Sequence, residues 1–241
     1  MGYLLDRFVT SPVQIFRPSN IGELFSFRLA QKLNDLPAVH HYVRLLEHYS
    51  QDLMVCAYRR VTRSANHLDL GKLFLHELNR LPPKGYGRHQ SRLLSIRIER
   101  RTVAAAVFAG EHLEFTDARQ LSSVHDKAVS SANGFINWLL EHFAVESAAL
   151  ETIPAGQDVL RSATDASIRQ VLRERGIALW EISKAELMDS CGYPSLKSRG
   201  DLRSIATAIW PVLSDVRSKA FVQDAAALGI HVQIERLFII N

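Results

Sequence analysis

In the first eighty residues, apolar side chains recur every three or four positions, which is the spacing of amphipathic helices. Asn20 followed three residues later by Glu23 is an N-terminal capping signature, and it predicts that a helix begins there. The same spacing over residues 37–61 predicts one long helix or two helices joined near Ser50, and a further helix is predicted over residues 68–81. This part of the chain is therefore predicted to be mainly α-helical.

A segment rich in proline and glycine, Pro82-Pro83-Lys84-Gly85-Tyr86-Gly87, follows these helices and cannot continue them. We therefore predict a basic helical module over residues 1–85, a linker over residues 86–91 and a second domain over residues 92–241. The linker separates two parts of the chain that have different hydrophobic periods.

Beyond the linker, the apolar residues Leu94, Ile96 and Ile98 alternate with polar ones, which is the pattern of a β-strand. Two further strands are predicted over residues 102–109 and 112–119, joined by a tight turn. The pattern then predicts a helix, a strand, a helix, a strand and three helices. In order, these elements are predicted over residues 123–143, 147–153, 165–175, 177–182, 184–191, 201–213 and 216–230, the first of them capped by Ser123 and Asp126.

The composition is that of an ordinary globular protein, with 47% hydrophobic and 22% charged residues among 241. The longest apolar run, residues 103–109, is far shorter than the roughly 20 residues that cross a bilayer. Asp6 lies where a signal peptide has its basic region, and Cys56 and Cys191 match neither a disulfide framework nor a zinc motif. We therefore expect a cytoplasmic protein that does not associate with membranes.

Basic residues are concentrated in the first part of the chain. Residues 1–91 contain 12 Lys or Arg and 7 Asp or Glu, whereas residues 92–241 contain 17 and 18. Clustered Lys and Arg gain affinity for polyanions by releasing counterions from phosphates, so DNA or RNA is the expected partner. A solvated basic linker without a ligand is equally compatible with this pattern.

Several common enzyme motifs are missing. His76-Glu77-Leu78-Asn79-Arg80 has arginine where a zinc protease needs its second histidine, and Gly85-Tyr86-Gly87 lacks the third glycine of a dinucleotide-binding loop. The chain contains neither a Walker lysine motif nor a Gly-x-Ser-x-Gly nucleophile motif. These enzyme classes are therefore not indicated.

The predicted order of strands and helices is that of the ribonuclease-H-like fold. Over about residues 92–232 the chain resembles one branch of that superfamily, the RuvC-type Holliday-junction resolvases. Four segments resemble the family's first strand, its fourth strand, the region after its fifth strand and its last helix: Leu93-Leu94-Ser95-Ile96-Arg97, Ala148-Ala149-Leu150-Glu151-Thr152-Ile153, Trp180-Glu181-Ile182-Ser183-Lys184-Ala185-Glu186-Leu187 and Val222-Gln223-Asp224-Ala225-Ala226-Ala227-Leu228-Gly229-Ile230. The resemblance implies an α/β fold with a mixed five-stranded sheet flanked by helices. The helical module has no counterpart in the family.

The resemblance also implies a metal centre, because the family's chemistry needs four carboxylates that hold two divalent cations about 4 Å apart. Glu151 matches the acid of the fourth strand and Asp224 matches an acid of the last helix, but Arg97 and Phe221 stand where the other acids belong. Arginine repels Mg²⁺, and two carboxylates rarely hold two hard cations. The metal centre is therefore predicted to be incomplete, and Arg97 is predicted to form an ion pair with Glu151 across adjacent strands.

The same residues have simpler interpretations. Glu151 is compatible with a solvated acid at a strand end, and Asp224 with an exposed position on an alanine-rich helix. The basic residues that are candidates for binding nucleic acid can also be exposed side chains without a ligand. These candidates are Lys84, Arg88, Arg92, Arg97, Arg100, Arg101, Lys197 and Arg199.

Three functions are compatible with the sequence. The first, favoured by the missing acids, is a catalytically degenerate relative that is a scaffold for DNA or RNA and needs no cofactor. The second is a divergent Mg²⁺- or Mn²⁺-dependent nuclease that uses Glu151 and Asp224, with further acids such as Glu99, Glu181 or Asp201. The third is a protein–protein interaction subunit of a larger complex, or a homodimer, because the resolvase-type domains that the chain resembles work as dimers.

Overall fold

The computed structural model describes residues 18–63, 69–81, 91–154, 156, 158–189, 198–216 and 219–235. The helices before the sheet are α1 (Ile21–Lys32), α2 (Val39–Leu45), α3 (Gln51–Arg63) and α4 (Leu70–Leu78). The strands are β1 (Arg92–Glu99), β2 (Thr102–Ala109), β3 (His112–Gln120), β4 (Ser147–Glu151) and β5 (Ala178–Ile182). The later helices are α5 (His125–Phe143), α6 (Val159–Glu174), α7 (Lys184–Asp189), α8 (Arg199–Ile209) and α9 (Lys219–Glu235). Short 3₁₀ turns lie at Leu36–Ala38 and Pro211–Ser214.

The predicted N-terminal helices are present. The side chain of Asn20 accepts a hydrogen bond of 2.8 Å from the backbone N–H of Glu23, so the predicted cap of α1 is confirmed. Of the two alternatives for residues 37–61, the pair of helices is the correct one. Ser50 Oγ accepts a hydrogen bond of 3.3 Å from the N–H of Leu53 at the start of α3. None of the described helices is long and apolar enough to span a membrane.

The five strands form one mixed sheet in the order β3-β2-β1-β4-β5. β1, β2 and β3 form an antiparallel meander, whereas β4 pairs with β1 and β5 in parallel. The turn between β2 and β3 contains Gly110 with a φ of +56°, a conformation that glycine adopts without a steric penalty. The predicted α/β fold with a mixed five-stranded sheet is therefore confirmed.

The two faces of the sheet are covered by different helices, because successive side chains of a strand point to opposite sides. Leu94, Ile96 and Ile98 pack with residues of α5 and α6. The opposite face, which includes Leu93 and Ala149, packs against α9, and the same hydrophobic cluster includes residues of α1, α3, α4 and α8. The linker lies almost entirely outside the described residues, so the division into module and domain stays a prediction.

Several helix boundaries differ from the sequence-based expectation. The cap that was predicted at Ser123 is wrong: α5 begins at His125, and its N-cap, Val124, makes no side-chain capping bond. A local turn replaces the cap, because Ser122 Oγ accepts the N–H of Val124 at 3.1 Å. α6 begins before residue 165, since the side chain of Asp158 accepts the N–H groups at the start of that helix.

The start of α8 matters most for the site. We expected Arg199 in a loop, but it is the first residue of α8. Ser198 and Asp201 form a capping box, in which each side chain accepts the backbone N–H of the other. The capping box begins the helix two residues earlier than predicted and fixes the direction in which Arg199 leaves the backbone.

We predict that Gly229→Ala destabilises the fold, because a Cβ at this position of α9 would collide with the ring of Phe108 on β2. The ring cannot readily move away, since it packs against Trp210 with 5.1 Å between the ring centroids. Overpacking of this kind should lower the free energy of unfolding by about 2 kcal/mol in urea denaturation.

The matched control is Gly134→Ala on α5, where an added Cβ would meet no atom within 4 Å. The control should raise stability by about 0.5–1 kcal/mol. Equal effects of the two substitutions would contradict the close packing of α9 on β2.

Candidate functional site

The candidate site lies where β1 and β4 end, under α9. Because these strands are parallel and Ile96 is paired with Leu150, the next residues, Arg97 and Glu151, occupy adjacent positions at the same edge of the sheet. Both side chains, and that of Glu99, point to the face that α9 covers. Asp224 lies on the buried surface of α9.

Arg97 lies at the centre of the site, and its side chain is only 6% exposed. Its Nη1 donates to Glu151 Oε2, and its Nη2 donates to Glu99 Oε1. Its Nε lies 4.0 Å from Asp224 Oδ2, and no hydrogen-bond partner for this atom is found among the described residues. One planar guanidinium is therefore surrounded by three carboxylates.

Two arginines of α8 complete the arrangement. Arg199 Nη2 donates to the second oxygen of Glu151. Arg203 binds both oxygens of Asp224, with 2.7 Å from Nε to Oδ1 and 2.9 Å from Nη2 to Oδ2. Hydrogen bonding to Asp224 raises the pKa of Arg203 above its ordinary value, an effect that exceeds the lowering due to burial. We call these six residues the arginine–carboxylate cluster: Arg97, Arg199, Arg203, Glu99, Glu151 and Asp224.

The formal charges of the cluster balance, with three guanidinium groups and three carboxylates. Buried charges are tolerated when they are paired and hydrogen-bonded, which is the case for both oxygens of Glu151 and of Asp224. The cluster can therefore link β1, β4, α8 and α9 through ionic contacts at one edge of the sheet.

The predicted ion pair between Arg97 and Glu151 is confirmed. The interpretations of Glu151 as a solvated acid and of Asp224 as an exposed helix residue are wrong, because both are buried. The burial of Asp224 follows from the close packing of α9 on the sheet, which leaves no room for a Cβ between Gly229 and the ring of Phe108. The catalytic assignment of Glu151 and Asp224 stays a prediction.

The other acids that we considered are placed differently. Glu99 joins the cluster. Glu181 instead binds Arg169 of α6 at 2.7 Å, and Asp201 caps α8. Phe221, which stands where the resemblance implies a further acid, is partly buried and packs in the hydrophobic cluster. The structure therefore brings together three of the candidate acids and leaves two outside.

Sequence reasoning missed Arg203. A signal was present, because Arg199 and Arg203 are four residues apart, and residues with this spacing lie on the same face of a helix. The prediction of a loop at Arg199 hides this signal, because the spacing of the two arginines has a structural meaning only if both lie in one helix.

The arrangement does not fit a centre of two divalent cations. The guanidinium of Arg97 occupies the space between the carboxylates, and Arg199 and Arg203 bind the remaining oxygens. In the part of the chain that the structure describes, no group of three or more His, Cys, Asp or Glu residues is arranged to hold a metal ion. A metal would require arginine side chains to leave.

The basic candidates are divided between the two ends of β1. Arg92 lies at its beginning and binds Glu114, with Nε 3.1 Å from Oε2. Arg100 and Arg101 lie in the turn after β1, at the same end of the sheet as the cluster, and both are exposed. Arg100 contacts Asp158 at 3.0 Å. The candidates Lys84, Arg88 and Lys197 lie outside the described residues, and the binding role of all eight stays a prediction.

The chain was compared with known families, sequences and solved structures, and only the solved structures show a similar fold. Neither family models nor curated protein sequences give a match. Among solved structures, RuvC of Thermus thermophilus aligns with a TM-score of 0.53 and 12% identity, covering 60% of this chain and 95% of RuvC. The chain has a RuvC-like ribonuclease-H fold.

Two further solved structures align with this chain. The T. thermophilus RuvC in complex with a Holliday junction substrate aligns with a TM-score of 0.52 and 13% identity, over 61% of this chain and 94% of that one. The yeast mitochondrial Holliday junction resolvase aligns with a TM-score of 0.47 and 13% identity, over 78% and 95%. The alignments with T. thermophilus RuvC confirm the distant resemblance that we inferred from the four sequence segments.

We predict that Arg203→Ala lowers the free energy of unfolding by about 2 kcal/mol, because it leaves the buried carboxylate of Asp224 without its bidentate partner. The matched control is Arg175→Ala, which removes an arginine from an exposed pair with Glu141 and should cost below about 1 kcal/mol. Urea denaturation of both variants measures the difference. Similar losses for the two variants would show that the cluster is no stronger than a surface ion pair.

Proposed function

We propose that this protein is a nucleic-acid-associated protein that uses its RuvC-like fold as a scaffold for DNA or RNA and does not cleave it. The main support for this proposal is that Glu99, Glu151 and Asp224 each accept hydrogen bonds from arginine side chains. The acids that would hold metal ions in a nuclease of this fold are thereby used to balance guanidinium groups.

Electrostatics supports the loss of metal binding. Two unit charges 4 Å apart interact by about 4 kcal/mol at an effective dielectric constant of 20, and a divalent cation doubles the effect. A cation between Glu151 and Asp224 would be repelled by Arg97, which lies at the centre of the cluster. It would also be repelled by the guanidinium groups of Arg199 and Arg203. It would also have to displace hydrogen bonds that the carboxylates already accept. These costs favour the ion-paired arrangement over a metal-bound one.

Two observations support nucleic acid as the partner. A solved structure of similar fold, T. thermophilus RuvC, is in complex with a Holliday junction substrate. In this chain, the exposed Arg100 and Arg101 lie side by side in the turn at the cluster end of the sheet, where they can contact phosphates. The role proposed for these arginines is to position the nucleic acid, not to read its sequence.

We predict that the double substitution Arg100→Glu, Arg101→Glu weakens binding to nucleic acid by about tenfold or more and makes the salt dependence of the affinity shallower. Fluorescence anisotropy with a four-way junction, duplex DNA, single-stranded DNA and single-stranded RNA at several salt concentrations measures both quantities. The double substitution Arg44→Glu, Arg173→Glu is the control, since both arginines are exposed on helices outside this turn and the pair undergoes the same change of charge. If the unmodified protein has no salt-dependent affinity for any of these ligands, nucleic acid is not the partner.

A metal-dependent nuclease is the second candidate, because Glu99, Glu151 and Asp224 do converge at one edge of the sheet. Under the proposed function, branched and single-stranded DNA incubated with Mg²⁺ or Mn²⁺ should remain intact with the unmodified protein and with Glu151→Gln alike. Gel electrophoresis of labelled substrates measures cleavage. Cutting that depends on metal and is abolished by Glu151→Gln would overturn the scaffold and establish the nuclease.

A further inference from the structure

A cavity of about 540 Å³ opens between α3 and β5, outside the arginine–carboxylate cluster. Its lining includes three arginines, one carboxylate, one thiol and one indole ring: Arg59, Arg60, Arg63, Asp52, Cys56 and Trp180. Its volume lies in the range of about 300–1,000 Å³ that is typical of small-molecule sites. α3 belongs to the predicted helical module, for which the resemblance offers no counterpart.

Helix geometry explains why these side chains converge. Asp52, Cys56, Arg59 and Arg63 recur every three or four residues, so they form one stripe along α3. The neighbouring stripe, which includes Met54, Ala57 and Val61, is buried and holds the helix in the hydrophobic cluster. The polar stripe is therefore fixed beside the sheet by the burial of its neighbour.

Strand geometry brings the indole ring to the same place. Trp180 is paired with Ala149 and shares its face of the sheet, the face that the N-terminal helices help to cover. β5 is the last strand of the sheet, so no strand of the described chain lies beyond it. Glu181, the next residue, points to the other face and binds Arg169. The ring of Trp180 therefore forms one side of the cavity at the edge of the sheet.

Most of the charged side chains that line the cavity are basic. Three guanidinium groups line it with a single carboxylate, Asp52. Arg60 also lies 3.7 Å from Glu77 of α4, which is a long contact for an ion pair. Arg63 forms no ion pair with any described residue. An excess of positive charge in a concave site attracts anions, and arginine binds phosphate oxygens through two parallel hydrogen bonds.

We propose that this cavity binds a nucleotide unit, with the phosphate on the arginines of α3 and the base against Trp180. Arginine next to an aromatic ring is the combination that recognises single nucleotides, because the base stacks on the ring while the phosphate is held electrostatically. The nucleotide comes either from a free mononucleotide or from a single strand of DNA or RNA. This site goes beyond the proposed function and does not rest on it.

Calorimetry of AMP and adenosine binding to the 241-residue chain tests the phosphate part of the site. Fluorescence anisotropy with a fluorescein-labelled ten-nucleotide oligothymidylate tests binding of a single strand. Arg63→Glu should weaken the binding of AMP, of the oligonucleotide or of both by about tenfold, because a charge-assisted contact is replaced by repulsion. Arg44→Glu is the matched control, an exposed arginine on α2 with the same change of charge. Trp180→Leu should cost about tenfold as well, through the loss of stacking.

Loss of AMP binding in Arg63→Glu assigns the cavity to a free nucleotide, and loss confined to the oligonucleotide assigns it to a strand. The proposal is overturned if adenosine binds as tightly as AMP, or if Arg63→Glu and Arg44→Glu behave alike with both ligands.

Cys56 provides a readout of occupancy, because this cysteine lines the cavity. A saturating concentration of AMP, or of the oligonucleotide if only the strand binds, should slow alkylation of Cys56 by iodoacetamide by about fivefold or more in the unmodified protein, because the fraction of molecules with an empty cavity falls as 1/(1 + [L]/Kd). A defect in folding would accelerate alkylation instead. The result is separate from the proposed function, since the Arg100 and Arg101 substitutions leave this cavity intact.

Discussion

The guanidinium of Arg97 is the constraint on which the rest of the site depends. Three carboxylates converge where β1 and β4 end under α9, and two of them, Glu151 and Asp224, are buried. Buried carboxylates are costly without a compensating cation. Arg97 supplies that cation from the sheet itself. Because its fork is planar and always charged, it satisfies two acids at once and lies near the third.

The cluster also determines how α8 is held. Arg199 and Arg203 connect this helix to β4 and to α9, while Leu202, Ala206 and Ile209 bury its apolar side. The ionic contacts therefore act together with hydrophobic packing to set the position of α8 over the edge of the sheet. An edge that provides acids for metal ions in a nuclease of this fold becomes, in this chain, a junction between secondary-structure elements.

The two arginine-rich regions of the molecule differ in their charge balance. In the cluster every guanidinium faces a carboxylate, and these contacts join strands to helices. In the cavity beside α3, arginines outnumber acids and lie next to an indole ring, which is why we assign a ligand to that region and not to the cluster. Both regions contain three arginines, and they differ in the side chains that lie next to those arginines.

The sequence by itself determined most of the helices and strands, which follow from local hydrophobic periods. The mixed five-stranded sheet and the adjacency of Arg97 and Glu151 were implied by the resemblance to the RuvC-type resolvases. Only the tertiary structure decided that Asp224 is buried, that Arg203 binds it and that α3 lies beside Trp180. The starts of α5 and α6 were missed because the caps there depend on local hydrogen bonds of Ser122 and Asp158 that the sequence pattern did not distinguish. Contacts between residues far apart in the chain depend on how helices pack across the sheet. Hydrophobic periodicity predicts each helix or strand separately and does not predict this packing.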